Sequence, residues 1–152
     1  MPFRFRFHSM LRQRRFLLEE AQTALAAAQS EYNLIESEIA DMRETLSRHW
    51  LLWEEKQKHG VTAFDYLSSR EYLDAVERQL QLMEKRKIEA SNELNRRKEI
   101  VIQRDVGVKM LETLEGQDRE IYRYMQGRKE QKHLDDVAVF KDFRDRTEFE
   151  KV

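Results

Sequence analysis

Residues 11–53 read LRQRRFLLEEAQTALAAAQSEYNLIESEIADMRETLSRHWLLW. Steps of three and four residues from Leu11 meet Arg14, Leu18, Ala21, Leu25, Ala28, Tyr32, Ile35, Ile39, Met42, Leu46, His49 and Trp53. Arg14 and His49 are the two mild departures from an apolar seam. Two supercoiled helices keep such a seam facing each other when it recurs every 3.5 residues, so this run predicts a long coiled-coil helix. The same register carried backwards reaches Phe7 and Arg4, and Pro2 suits a helix start. The opening FRFRF, residues 3–7, is therefore read as the first turns of a helix spanning 3–58. As a strand it would need a partner, and no other part of the chain reads as one.

The composition agrees with long helices. Of the 152 residues, 38% are charged, Gly occurs four times, and the single proline is Pro2. Such a mixture suits coiled coils, and the periodic apolar residues argue against disorder. The chain has no cysteine, so neither a disulfide framework nor a thiolate nucleophile is available. Its longest uncharged run, residues 21–30, is far below the roughly twenty residues of a spanning helix. No apolar core follows the basic start, so no secretory signal is expected and a reducing, cytoplasmic setting fits. The net charge of −1 conceals an asymmetry, because Arg4, Arg6, Arg12, Arg14 and Arg15 all precede the first acid, Glu19.

Gly60, just beyond Lys58 and His59, marks the turn. After a linker over residues 59–68, a second helix is expected over 69–146. Its seam runs Leu73, Val76, Leu80, Met83, Lys87, Ala90, Leu94, Arg97, Val101, Arg104, Val108 and Leu111. It then loses phase at Glu115 and Asp118, where Gly107, Gly116 and Gly127 also weaken the helix. An antiparallel fold about the turn pairs Leu46 with Val76, Ile39 with Met83, Tyr32 with Ala90, Ala28 with Leu94, Ala21 with Val101, and Leu11 with Leu111. Large side chains then meet small ones, as a filled seam requires. The expected fold is all-α: one long antiparallel two-helix coiled-coil hairpin, residues 1–152, with the second helix longer than the first. At about 1.5 Å per residue the overhang is roughly 30–40 Å. It carries Ile121, Tyr122, Met125, Leu134, Val137, Ala138, Phe140 and Phe143 with no partner left to cover them. Another protein, a second copy of the chain, or fraying would account for that.

Catalytic chemistry is not expected. There is no Gly-rich phosphate loop, and His8, His49, His59 and His133 are scattered without ligand spacing, so no metal site or cofactor is read. Carboxylates on solvated helix faces lack a cavity to shift their pKa values. Two ends read as binding surfaces. At the turn, Trp50, Leu51, Leu52 and Trp53 are apolar all round the helix, with Phe64, Tyr66, Leu67 and Tyr72 following. They form either a local mini-core under the linker or an aromatic anchor for a partner. At the other end, the Arg/Phe start beside the overhang suits an acidic protein lumen or an anionic membrane surface. Nucleic acid is not expected of a chain that is not basic as a whole.

The opening PFRFRFHSMLRQR, the run EQKHLDDVAVFKDF (residues 130–143) and SSREYLDAVERQL (residues 68–80) resemble the FliJ family of the bacterial flagellar type III export apparatus. Its relatives serve as stalk proteins in injectisomes. Members carry a Phe-x-Phe start and a Glu-Gln-Lys-x-Leu-Asp-Glu-Ile-Ala-like run, in which Asp136 and Val137 here replace Glu and Ile and His133 fills the variable slot. The resemblance implies a non-enzymatic two-helix stalk similar to the γ shaft of rotary ATPases. Its paired termini would enter a hexameric export ATPase and promote ring assembly. Other regions would contact the membrane-embedded export gate and export chaperones. On this reading Phe3, Arg4, Phe5, Arg6, Phe7, Gln131, Leu134, Val137 and Phe140 face the ring. For the gate the aromatic cluster at the turn offers Trp50, Phe64, Tyr66 and Tyr72, of which the family motif carries over Tyr72 alone. The protein would be cytoplasmic, peripheral at the inner face of the cell membrane, and a monomer or weak dimer when free. The alternative is a coiled-coil adaptor or homodimer that binds a protein or the membrane surface through its Arg/Phe start.

Overall fold

The computed structural model of the chain describes residues 2–150, and these form two helices, α1 (His8–Lys58) and α2 (Ala63–Glu150). The fold is all-helical, an antiparallel coiled-coil hairpin whose second helix is the longer: 88 residues against 51. Contacts gather into two units. One holds residues 2–16 and 106–150; the other is Leu17–Asp105.

The α1 seam behaves as its spacing demands. Each seam position from Leu11 to Trp53 is buried or half-buried, and Leu11, Ala21, Ile39 and Trp53 are the most enclosed. In the central unit Lys87 Nζ lies 3.7 Å from the Glu36 carboxylate, between the expected Tyr32/Ala90 and Ile39/Met83 layers. Arg43 donates to Glu84 at 2.6 Å on the other side of Ile39. Glu93 accepts from Arg96 and Arg97, both at 2.8 Å; these bonds, Arg96 first, hold its carboxyl down at about 2. On α2, Arg104 turns to solvent and Asp105 takes the half-buried place instead.

Both departures from the apolar pattern are matched by what lies opposite. Arg14 donates from Nη1 to the Gly107 carbonyl oxygen at 3.1 Å. A Cβ at position 107 would meet the Arg14 side chain at 3.6 Å, an ordinary van der Waals contact. His49 Nε2 is 3.0 Å from Ser69 Oγ, and its ring lies 4.6 Å from that of Tyr72. Polar groups in a seam are tolerated when each finds a partner.

Three boundaries differ from the sequence reading. First, α1 begins at His8, not residue 3. Residues 2–7 are non-helical, and Phe7 O accepts the first helical bond, from Leu11 N–H at 2.9 Å. In this form Phe5 is buried. Second, α2 begins at Ala63 and runs through Glu150, unbroken at its three glycines. Its early start has a local cause. Thr62 Oγ1 accepts from Asp65 N–H at 3.1 Å, while Asp65 Oδ2 accepts from Thr62 N–H at 3.3 Å, a reciprocal cap for the free amides of the first turn. Third, the α2 seam does not end at Glu115. Glu115, Asp118 and Tyr122 all stay half-buried, because residues 2–7 lie over them.

Gly60 closes α1 with φ +89°. Its N–H bonds to the Gln57 carbonyl at 3.3 Å, and that of His59 to Lys56 at 3.2 Å, satisfying carbonyls at the helix end. A Cβ there would meet nothing within 4 Å, so the demand is one of backbone conformation. Gly60→Ala should cost about 1–2 kcal/mol, and Gly60→Asn less, both read from urea denaturation.

Candidate functional site

The terminal unit carries a long uncovered stretch. Every residue from 127 to 150 is exposed, a stretch of about 36 Å at 1.5 Å per residue. Leu134, Val137, Phe140 and Phe143 are each more than half exposed, as are Val139 and Phe149. Each three-residue step falls about 60° short of a full turn, so Leu134 and Phe143 project roughly 180° apart. The apolar side chains are thus spread round the helix and not gathered in one stripe. Charged residues are interspersed among them on every side, so the stretch offers a partner mixed apolar and charged contacts from several directions. The sequence reading missed Val139 and Phe149 because it sought a single stripe; counting directions at 100° per residue finds them. Gln131 lies one turn before Asp135 and donates to it at 3.2 Å.

The N-terminal candidates sit elsewhere in this unit. Phe3 packs on Tyr122, ring centroids 5.5 Å apart, and the Arg119 guanidinium lies 5.3 Å from the Phe3 centroid. Phe5 is 8% exposed and meets Phe7 edge-on at 5.8 Å. Arg6 reaches Asp118 at 3.5 Å and covers the Phe7 ring at 4.8 Å. Arg4 is exposed. These residues are brought together over the 115–122 stretch of α2, not beside Gln131, Leu134, Val137 and Phe140. The expected exposure of Tyr122 is corrected by the same contact.

The turn end lies in the central unit. Trp53 is buried there, with Ser69, and the Trp53 ring is 6.3 Å from that of Tyr66. Trp50, Leu51, Leu52, Phe64, Tyr66, Leu67 and Tyr72 remain exposed, Phe64 at 76%. The mini-core reading therefore holds for Trp53 alone. An open groove of about 260 Å³ runs between His49, Leu52, Trp53, Lys56, Asp65, Ser69 and Tyr72. Lys56 Nζ is 3.5 Å from Asp65. Hydrogen bonds from Thr62, backbone first and then hydroxyl, hold the Asp65 carboxyl below its ordinary range, with Lys56 adding to the effect. A depressed carboxyl stabilises the fold above its unfolded pKa, and that contribution disappears as pH falls through the folded value. Below about pH 4 the parent should lose melting temperature faster than Asp65→Asn. Equal slopes in thermal melts at several pH values would show the cap contributes nothing.

Among the described residues no group of three or more His, Asp or Glu is placed to hold a metal ion. No helix of theirs is long and apolar enough to cross a membrane. Two antiparallel helices and a Phe-x-Phe start are what the resemblance calls for. A family model described as Flagellar FliJ protein matches residues 3–147, nearly the whole chain. The chain belongs to the FliJ family. It is accordingly a component of the flagellar protein export apparatus, in a family that is non-catalytic. No curated protein and no solved structure was found to match it.

Proposed function

We propose that this FliJ-family chain is a non-enzymatic stalk that seats its terminal end in the pore of the hexameric export ATPase. There it promotes ring assembly and hydrolysis. The observation that carries this reading is the distribution of Leu134, Val137, Val139, Phe140 and Phe143 round a lone helix. A pore wall can contact every side of an inserted helix. A two-stranded dimer seam covers one side and leaves the others wet, which weighs against the homodimer. Gln131 belongs to the same surface, and Phe3, Arg4, Phe5, Arg6 and Phe7 supply aromatic and cationic contacts for the inner wall.

The aromatic turn fits a second partner, the membrane-embedded export gate. Trp50, Phe64, Tyr66 and Tyr72 are rigid, amphipathic anchors of the kind that concentrate binding energy. The protein then works in the cytoplasm, peripheral to the inner face of the membrane, and hands on export chaperones between ring and gate. It binds no nucleic acid and needs no cofactor for this role.

Mixing the chain with the export ATPase of the same organism, and following hydrolysis rate and hexamer formation, tests the ring reading. Stimulation at stoichiometric amounts is the expected result. An unchanged rate and an unchanged assembly state would remove the ring as the partner.

A further inference from the structure

At the start of α1 the His8 N–H bonds back to the Phe5 carbonyl at 3.2 Å, a local turn that ties the helix to the segment before it. Phe7 occupies the N-cap, where a side-chain oxygen would normally accept from the free amides of the first turn and a phenyl ring cannot. No acid lies in that turn, so any complement to the positive end of the helix dipole must come from α2. Across from it, the α2 seam positions Glu115 and Asp118 are polar. Closure depends instead on the non-helical residues 2–7 folding back over α2.

Those contacts are uneven in strength. Phe5 is buried, but Phe3 and Phe7 are only half-covered. The Arg6 side chain is two-thirds exposed where it meets Asp118, so water screens that ion pair and leaves it little worth. The enclosed Phe5 ring, and the Phe3 ring packed on Tyr122 and flanked by Arg119, thus do most of the holding, in a short segment that is neither helix nor strand. Its release would uncover Tyr122 beside Ile121, Tyr124 and Met125, which are already exposed.

We propose that residues 2–7 are an autoinhibitory clasp, closed on α2 in the free chain and opened when the terminal end meets the ATPase ring. The proposal rests on the ring reading above. In the closed form Phe3 and Phe5 are spent on the chain itself. Opening presents them, with Tyr122, to the ring wall. A partner that binds only the open form binds more weakly by the fraction of molecules that are open.

The chain lacks cysteine, so Phe3→Cys with Tyr122→Cys can be bridged by a bis-maleimide linker that reductant cleaves. The bridged protein should need about tenfold more chain for half-maximal ATPase stimulation, and reductant should restore the unbridged value. Equal stimulation before and after cleavage overturns the autoinhibition. A second measurement reads the clasp without the ATPase. Phe5→Ala should speed amide exchange across residues 111–126 several-fold and leave the segment around Ile39 unchanged; an unchanged rate in both overturns the clasp. If Phe5→Ala speeds exchange but the parent chain, with Phe3 and Tyr122 in place, does not stimulate, the ring reading falls and takes the inhibition with it.

Discussion

Ile39→Asp should unfold the central unit at temperatures where the parent is intact. Ile39 is 3% exposed, in the layer where the seam spacing expects Met83 opposite it. The change removes a buried aliphatic side chain and puts a carboxylate in its place, a combined cost of about 4 kcal/mol or more. Arg43 and Lys87 flank the layer but are engaged with Glu84 and Glu36, so relief of the new charge would break existing pairs. Leu34→Asp is the control. Leu34 is 59% exposed on the outer face of the same helix, where substitutions stay within about 0.5 kcal/mol. Thermal melts by far-ultraviolet circular dichroism should separate the two variants widely. The gap should narrow in acid, because a buried carboxyl protonates readily and its neutral form is cheaper to enclose. An Ile39→Asp protein that melts with the parent would show that the helices pair in another register.

Leu134→Asp combined with Val137→Asp should do the reverse, leaving the fold intact and abolishing ATPase stimulation. Both side chains are more than half exposed and lie in the stretch where no residue is covered by α1. Their loss removes no intrachain packing, so melting should move by no more than about 1 kcal/mol for the pair. In a dry pore the same carboxylates would be desolvated without partners, a cost large enough to exclude binding. Hydrolysis rate and hexamer formation, measured beside the parent, decide the matter. Full stimulation by the double variant would move the ring contact off this surface. A large fall in melting temperature would show that the segment is packed.

The two predictions differ because the chain uses apolar residues in two ways, and the sequence separates them only in part. Spacing identified the seam: Ile39, Leu94 and Val108 recur in step with their neighbours and are buried. The aromatic turn was visible as apolar residues on every side of α1, but nothing in the spacing marked Trp53 as the one to be enclosed. The reciprocal cap of Thr62 and Asp65 was legible as a Thr-x-x-Asp signature ahead of an apolar run, and would have moved the expected start of α2 from residue 69 to Ala63. The C-terminal surface was visible as unpaired apolar residues, while its all-round distribution emerges only when each direction is counted.

By itself the sequence determined two helices, their antiparallel pairing, the turn at Gly60 and the unequal lengths. Each follows from helix periodicity or from the conformational freedom of one residue, properties that neighbours along the chain settle among themselves. Tertiary structure alone decided the course of residues 2–7, the burial of Phe5, the seat of Phe3 on Tyr122 and the pairing of Arg14 with Gly107. Those contacts join opposite ends of the chain and carry no period. The alternation of FRFRF is compatible with several backbones, and the choice among them rests on the surface that α2 offers when the chain has folded back.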